Sequence, residues 1–169
     1  MKFELTPRWV FAGLALLPLA LLAEAMLLQH LQGQAPCPLC ILDRMAFFLF
    51  ALISISGSIH NPPRRTAALY AGGMALASFA GLGVASWHAW SLHHPKFGCG
   101  IDVMEQFVNN LPTAKLLPFI FRASGDCSAH HDPILGLVVP EWALAWFVAL
   151  FLGAAYLAFK WWSAARADR

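Results

Sequence analysis

The stretch QAPCPLCILDRMAFFLF, Gln34 to Phe50, decides how the chain is read. It sets a Cys-x-x-Cys pair, Cys37 and Cys40, directly against a long apolar run. One arginine, Arg44, stands four residues past the second cysteine, where the apolar run has already begun. Two thiols and a cation at the lip of a hydrophobic segment need a reason, because an ionised side chain is costly in hydrocarbon.

Working outward from that stretch, the 169 residues are 59% hydrophobic and only 12% charged, with a mean hydropathy of +0.61. Soluble globular domains carry about 25% charge, so the balance points to a membrane protein. A net charge of +2 with no basic cluster or stacking motif excludes a nucleic-acid binder. Four apolar blocks stand out, at about 9–28, 41–59, 67–87 and 142–159. Each is close to the roughly 20 residues a helix needs to cross a bilayer. None alternates with a period of two, so a barrel is excluded and helices are expected. The expected fold is an all-α membrane protein, one integral domain over 1–169, built as a four-helix transmembrane bundle with outer loops at about 29–40 and 88–141.

The first block needs care. Lys2 and Arg8 precede it, and Ala23-Glu24-Ala25 resembles a signal-peptidase site. The apolar run continues through Leu28, however, which favours a retained helix. Charge in the connections then sets the topology. Lys2, Arg8, Arg64, Arg65, Lys160, Arg166 and Arg169 fall on one side of a four-helix crossing. Lys96, Lys115 and Arg122 fall on the other, with Arg44 at its edge. By the positive-inside rule both termini are cytoplasmic. Trp9, Trp87, Trp90, Trp142, Trp161 and Trp162 mark the block boundaries as interfacial anchors.

All four cysteines, Cys37, Cys40, Cys99 and Cys127, then lie on the outer side, where disulfides persist in a bacterial periplasm. The long outer loop between Cys99 and Cys127 contains an apolar, proline-broken segment, Ala114 to Phe121, expected as a short interfacial helix or, compatibly, as part of a small folded cap over the bundle.

A Cys-x-x-Cys pair can be redox-active, metal-binding or structural. A zinc site could recruit a histidine from the outer loop. The sequence CPLCI excludes the c-type haem motif, which needs histidine after the second cysteine. Local physics favours redox. Cys40 stands at a helix start, whose dipole stabilises a thiolate. Pro36 and Pro38 oppose helix before it. Arg44, at i+4, shares its helical face one turn deeper. Arg44 has a plainer reading too: snorkelling to lipid phosphate, or pairing with Asp43. Cys99 and Cys127 lie among Gly98, Gly100 and Gly125; if joined they would close a loop worth about 3–4 kcal/mol. That bond is either a staple or an exchangeable disulfide.

Taken together, CPLCILDR, the separated outer pair and the SGD preceding Cys127 resemble the disulfide bond formation protein B (DsbB) family over nearly the whole chain. The resemblance implies a quinone-dependent thiol:disulfide oxidoreductase of the bacterial inner membrane. Such a protein reoxidises a DsbA-like periplasmic thioredoxin-fold dithiol protein and passes two electrons to the membrane pool of ubiquinone or menaquinone. It implies disulfides Cys37–Cys40 and Cys99–Cys127. Cys99 would pair with the DsbA-like partner, Cys127 would be its loop mate, and Cys37 would exchange with Cys127. Cys40 would be the quinone-proximal thiolate, Arg44 would stabilise it and the reduced quinone oxygen, and His88 resembles the family's quinone-side histidine. The plain alternative is that His88 is an interfacial histidine beside Trp87.

Departures are the proline at position 38 inside the Cys-x-x-Cys and a short run from His93 to Gly98. His93, His94, His130 and His131 read as solvated loop residues, and Glu24, an acid deep in the first block, has no named partner. The rival readings are a non-enzymatic Cys/His metal-binding membrane protein, a scaffold whose disulfides only staple its loops, and a paralogue serving a different thioredoxin-fold partner.

Overall fold

In the computed structural model of the chain, residues 6–31, 33, 35–94, 101–126 and 135–167 are described. They form helices α1 (Pro7–Leu31), α2 (Pro38–His60), α3 (Arg64–His93), α4 (Ile101–Asn110), α5 (Pro112–Leu116), α6 (Pro118–Phe121) and α7 (Val139–Ala167). Of these, α1, α2, α3 and α7 are long and apolar enough to cross a membrane, at 25, 23, 30 and 29 residues. A rise of about 1.5 Å per residue takes each past the roughly 30 Å of a hydrocarbon core. The four apolar blocks sit inside these longer helices, because backbone hydrogen bonding runs on until a cap or a proline stops it. The extension matters at α3. It continues to His93, so His88 stands within the outer end of this helix, as expected, and the outer loop begins later than about position 88.

Prolines punctuate α2. Cys37 precedes Pro38 and is extended, with φ −76° and ψ 162°, as a residue before proline prefers. Pro38 takes the first helical turn, where its missing N–H leaves no bond unmade. The sequence sets the helix start near Cys40; the structure sets it at Pro38, with Cys37 as the cap and Cys40 inside the first turn. At the far end Asn61 adopts the left-handed conformation, φ 44°, and its N–H donates to the Gly57 carbonyl at 3.1 Å. Pro62 and Pro63 then prevent continuation, and α3 begins at once.

The long helices pack in chain order, α1 on α2, α2 on α3 and α3 on α7. Near the start of α1, Phe11 lies 5.2 Å from the Trp161 ring of α7 and 6.0 Å from that of Tyr70 on α3. The start of α1, the start of α3 and the end of α7 therefore gather at one end of the bundle. Higher up, the Phe47 ring stacks on Phe147 at 4.1 Å. Gly81 makes room for it, since a Cβ there would lie 2.3 Å from the Phe147 ring. Leu16, Leu76, Phe79, Leu152 and Phe159 are exposed on the outside of the bundle. That apolar perimeter fits a multi-pass membrane protein.

The segment expected as one short helix over 114–121 falls in two helices, α5 and α6, parted at Leu117. Proline opens each of them and cannot continue the one before. Helix α4, preceding them, was not foreshadowed by any apolar block. Val108, Ala114 and Phe121 from these elements bury against Ile41 of α2, and Asn109 pins Ala123 with two hydrogen bonds of 2.8 and 3.0 Å. The loop helices thus form a cap leaning on the first turns of α2.

Candidate functional site

Capping brings the two thiols together. The Cys37 sulfur accepts the Cys40 backbone N–H at 3.1 Å, filling one of the donors that every helix start leaves open. That bond folds the sulfurs onto each other, with Cys37 donating to Cys40 at 2.8 Å. Both thiols are free, so the expected Cys37–Cys40 disulfide is not formed in this structure. A bond of about 2.05 Å needs less than about 1 Å of further approach. The hydrogen bond to Cys40, reinforced by burial, pushes the Cys37 thiol above its ordinary range. Cys37 is the member that keeps its proton, and the Cys40 sulfur is the acceptor.

A histidine closes over the pair. On α3, His88 Nε2 lies 3.4 Å from the Cys37 sulfur and 3.9 Å from the Cys40 sulfur. Its other ring nitrogen, Nδ1, lies 3.2 Å from Oδ2 of Asp43 on α2. His88 and Asp43 are only 3% and 5% exposed, so this pairing satisfies the buried His88 Nδ1 and one of the two Asp43 oxygens. Asp43 follows Cys40 by three positions and shares its side of the helix.

Arg44 does not pair with Asp43. Successive helical side chains diverge by about 100°, and while Asp43 turns to α3, Arg44 turns to α1. Its guanidinium donates to Gln29 Oε1 at 2.7 Å, to the Ile120 carbonyl at 3.1 Å and to the Ala25 carbonyl at 3.3 Å. Nor does it snorkel, being 7% exposed. The fork geometry of arginine lets one group bridge α1 and α6.

A cavity of about 510 Å³ opens beside these groups, bordered by α1, α2, α3 and the start of α7. Cys37, Cys40, Asp43, Arg44 and His88 supply polar points on a wall otherwise made of residues such as Leu21, Leu22, Leu28, Phe47 and Trp146. A mostly apolar pocket with a few convergent polar groups suits a small lipophilic molecule with polar oxygens.

The loop cap reaches the pair from the other side. The N–H groups of Ser124 and Gly125 both donate to the Pro36 carbonyl at 3.0 Å. A Cβ on Gly125 would lie 2.1 Å from the Ala35 carbonyl oxygen, so only glycine permits this approach.

The structure therefore brings together Cys37, Cys40, Arg44 and His88. Cys99, Cys127, His130 and His131 lie outside the described residues. His93 and His94 are exposed, and their rings bond to carbonyls of their own helix, Ala89 at 2.9 Å and Trp90 at 3.1 Å. Glu24 borders the cavity. Sequence reasoning missed three participants: Asp43 as the partner of His88, Gln29 as an acceptor for Arg44, and the Pro36–Gly125 contact. The i+3 spacing of Asp43 from Cys40 was a usable signal; the other two depend on tertiary packing.

Comparison with known proteins agrees with this architecture. A family model described as disulfide bond formation protein DsbB matches residues 7–157. Proteins named "Disulfide bond formation protein B" are similar along most of their length. The one from Herminiimonas arsenicoxydans is 45% identical over 153 residues, covering 90% of this chain and 96% of that one. Those from Cupriavidus necator and Nitrosomonas europaea are 41% and 40% identical, covering 86% and 89% of this chain and 88% and 92% of theirs.

Proposed function

This chain belongs to the disulfide bond formation protein DsbB family, and from that premise we propose that it is a quinone-dependent thiol:disulfide oxidoreductase of the bacterial inner membrane. It supports disulfide bond formation in exported proteins by reoxidising a DsbA-like dithiol partner. Both termini face the cytoplasm, and the Cys37 end of the bundle faces the periplasm. The observation that carries this reading is the placement of the Cys37/Cys40 pair on the wall of an apolar cavity, with His88 against the sulfurs and Arg44 lining the same cavity.

The cavity fits the headgroup of ubiquinone or menaquinone in chemistry and in size: about 510 Å³ of mostly apolar wall, with guanidinium and imidazole for the two oxygens. When bound, the quinone supplies a two-electron oxidant that the protein's own side chains lack. Arg44 holds a fixed positive charge where negative charge develops on sulfur and on oxygen. Apolar walls exclude water from the thiols. Cys99 takes the partner's sulfur in a mixed disulfide, which frees Cys127 as a thiolate; Cys127 then attacks the Cys37–Cys40 disulfide at Cys37, a Cys37–Cys127 bond forms, and Cys40 leaves as the thiolate that faces the quinone. The docking of Gly125 on Pro36 supports that step: Cys127 follows Gly125 by two residues, a chain reach of about 7 Å.

One observation favours a second reading, a metal-binding membrane protein. One donor atom each from Cys37, Cys40 and His88 lie within 4.8 Å of one another, a spacing compatible with a soft cation. The two readings separate cleanly. The lipid-embedded protein is mixed with a reduced DsbA-like protein and a quinone, and quinone absorbance is followed. Catalytic quinone reduction is expected. Its absence, together with one zinc or copper ion retained per chain, establishes the metal reading instead.

A further inference from the structure

We propose that Asp43 is the positioning residue of this site: it holds His88 Nδ1 so that Nε2 stays free as the base for the Cys37/Cys40 thiols. The inference rests on the redox reading above and assigns a role to a residue outside the cysteine relay.

The geometry is a chain of three links. Asp43 Oδ2 meets His88 Nδ1 at 3.2 Å, and His88 Nε2 meets Cys37 Sγ at 3.4 Å and Cys40 Sγ at 3.9 Å. An ionised carboxylate can only accept, so Nδ1 carries the hydrogen that faces it. In a neutral imidazole the other nitrogen is then a bare acceptor, and here it is aimed at sulfur. The same logic, a buried carboxylate fixing the tautomer of a histidine that serves a nucleophile, underlies the serine-protease triad. In this site two thiols stand where that triad has one hydroxyl.

Burial argues that Asp43 is there for this purpose. A carboxylate at 5% exposure is costly without full satisfaction. Its neighbour Arg44 bonds to Gln29, Ala25 and Ile120. Asp43 Oδ1 finds no hydrogen-bond partner among the described residues, and the residue borders the cavity. Stability alone would be served better by an apolar side chain at this position.

The proton step balances simply. A thiol S–H bond breaks, its proton goes to His88 Nε2, and the sulfur keeps the electron pair as thiolate. The imidazolium so formed has Nδ1–H on the Asp43 carboxylate, which stabilises the charge; no electron moves in this step. Over the whole reaction the dithiol passes two electrons and two protons to the quinone as the S–S bond forms, and His88 handles the protons one at a time.

The test uses the reduced, full-length protein in lipid nanodiscs, with ¹⁵N-labelled histidine and the variants Asp43→Asn and Asp43→Glu. In the wild type the His88 nitrogens are expected to report the Nδ1–H tautomer. Asp43→Asn is isosteric, but its amide N–H faces Nδ1 and moves the hydrogen to Nε2. Quinone reduction should then fall in kcat by about tenfold or more with KM little changed, while thermal unfolding stays near that of the wild type. Asp43→Glu keeps a carboxylate and should restore the Nδ1–H signal and most of the rate. An Nε2–H tautomer in the wild type overturns the proposal, as does an Asp43→Asn protein with unchanged tautomer and unchanged kcat. The nitrogen spectra need no quinone, so they decide the role of Asp43 even if the wild type reduces none.

Discussion

The backbone N–H of Gly125 donates to the Pro36 carbonyl at 3.0 Å, so the segment leading to Cys127 is docked on the segment leading to Cys37. The contact leaves no room for a side chain: a Cβ at position 125 would lie 2.1 Å from the Ala35 carbonyl oxygen. Gly125→Ala must push the two segments apart. Exchange between the outer and inner cysteine pairs should slow by about tenfold or more, given how steeply rates fall with misplacement of about 1 Å. Quinone reduction by protein whose Cys37 and Cys40 are already reduced should be nearly unaffected. Stopped-flow kinetics with partner dithiol on one side and pre-reduced protein on the other separates the two steps.

Arg44 bonds to a side chain on α1 and a carbonyl on α6. Arg44→Ala strips the donor from Gln29 Oε1 and from the Ile120 carbonyl, at a cost of about 1–3 kcal/mol if both stay buried. The expected result is a lower unfolding temperature and a quinone KM raised by about tenfold, with partner exchange retained. Arg44→Lys keeps the charge but not the fork, and should fall between the two. Steady-state kinetics over a quinone series measures this.

Gly81 lets α3 approach Phe147 of α7, and a methyl group there would meet the ring at 2.3 Å. Gly81→Ala is expected to destabilise the bundle by about 1–3 kcal/mol through overpacking. Thermal unfolding in nanodiscs reads the loss, and Gly83→Ala, where nothing lies within 4 Å of the added Cβ, serves as the control.

The pH dependence of Cys37 has a definite sign. Its thiol is raised, first by its hydrogen bond to Cys40 and then by burial, so it stays protonated where an ordinary thiol ionises. Alkylation of Cys37 in the reduced protein should therefore have a pH midpoint above the roughly 8.5 of a free cysteine. Cys40→Ala removes the first cause and should bring that midpoint down. Peptide mass spectrometry across a pH series follows it; a wild-type midpoint at the ordinary value contradicts the geometry.

The long helices were legible because bilayer crossing demands sustained apolar runs, and Pro36, Pro38, Pro62 and Pro63 punctuate α2 in the sequence itself. Helix ends were not, since α3 runs past its apolar block to His93. Helix α4 has a mixed composition and takes its stability from leaning on α2, which no local pattern reveals. At the site, Cys37, Cys40 and Arg44 were visible from spacing alone, with Arg44 one turn past Cys40. The partners of Arg44 and His88 come from other helices, so direction could be read but not destination. Asp43 entered the sequence reading only as one alternative partner for its neighbour Arg44; the divergence of adjacent helical side chains sends the two to opposite sides of α2.

We propose that the Cys37/Cys40 dithiol delivers electrons directly to quinone in the adjoining cavity. The most direct measurement uses a Cys99→Ser, Cys127→Ser protein in nanodiscs, reduced, freed of reductant and mixed anaerobically with quinone. One quinone is expected to be reduced per chain while two titratable thiols disappear and a Cys37–Cys40 disulfide forms. Quinone absorbance that holds steady, with both thiols still titratable, would contradict it.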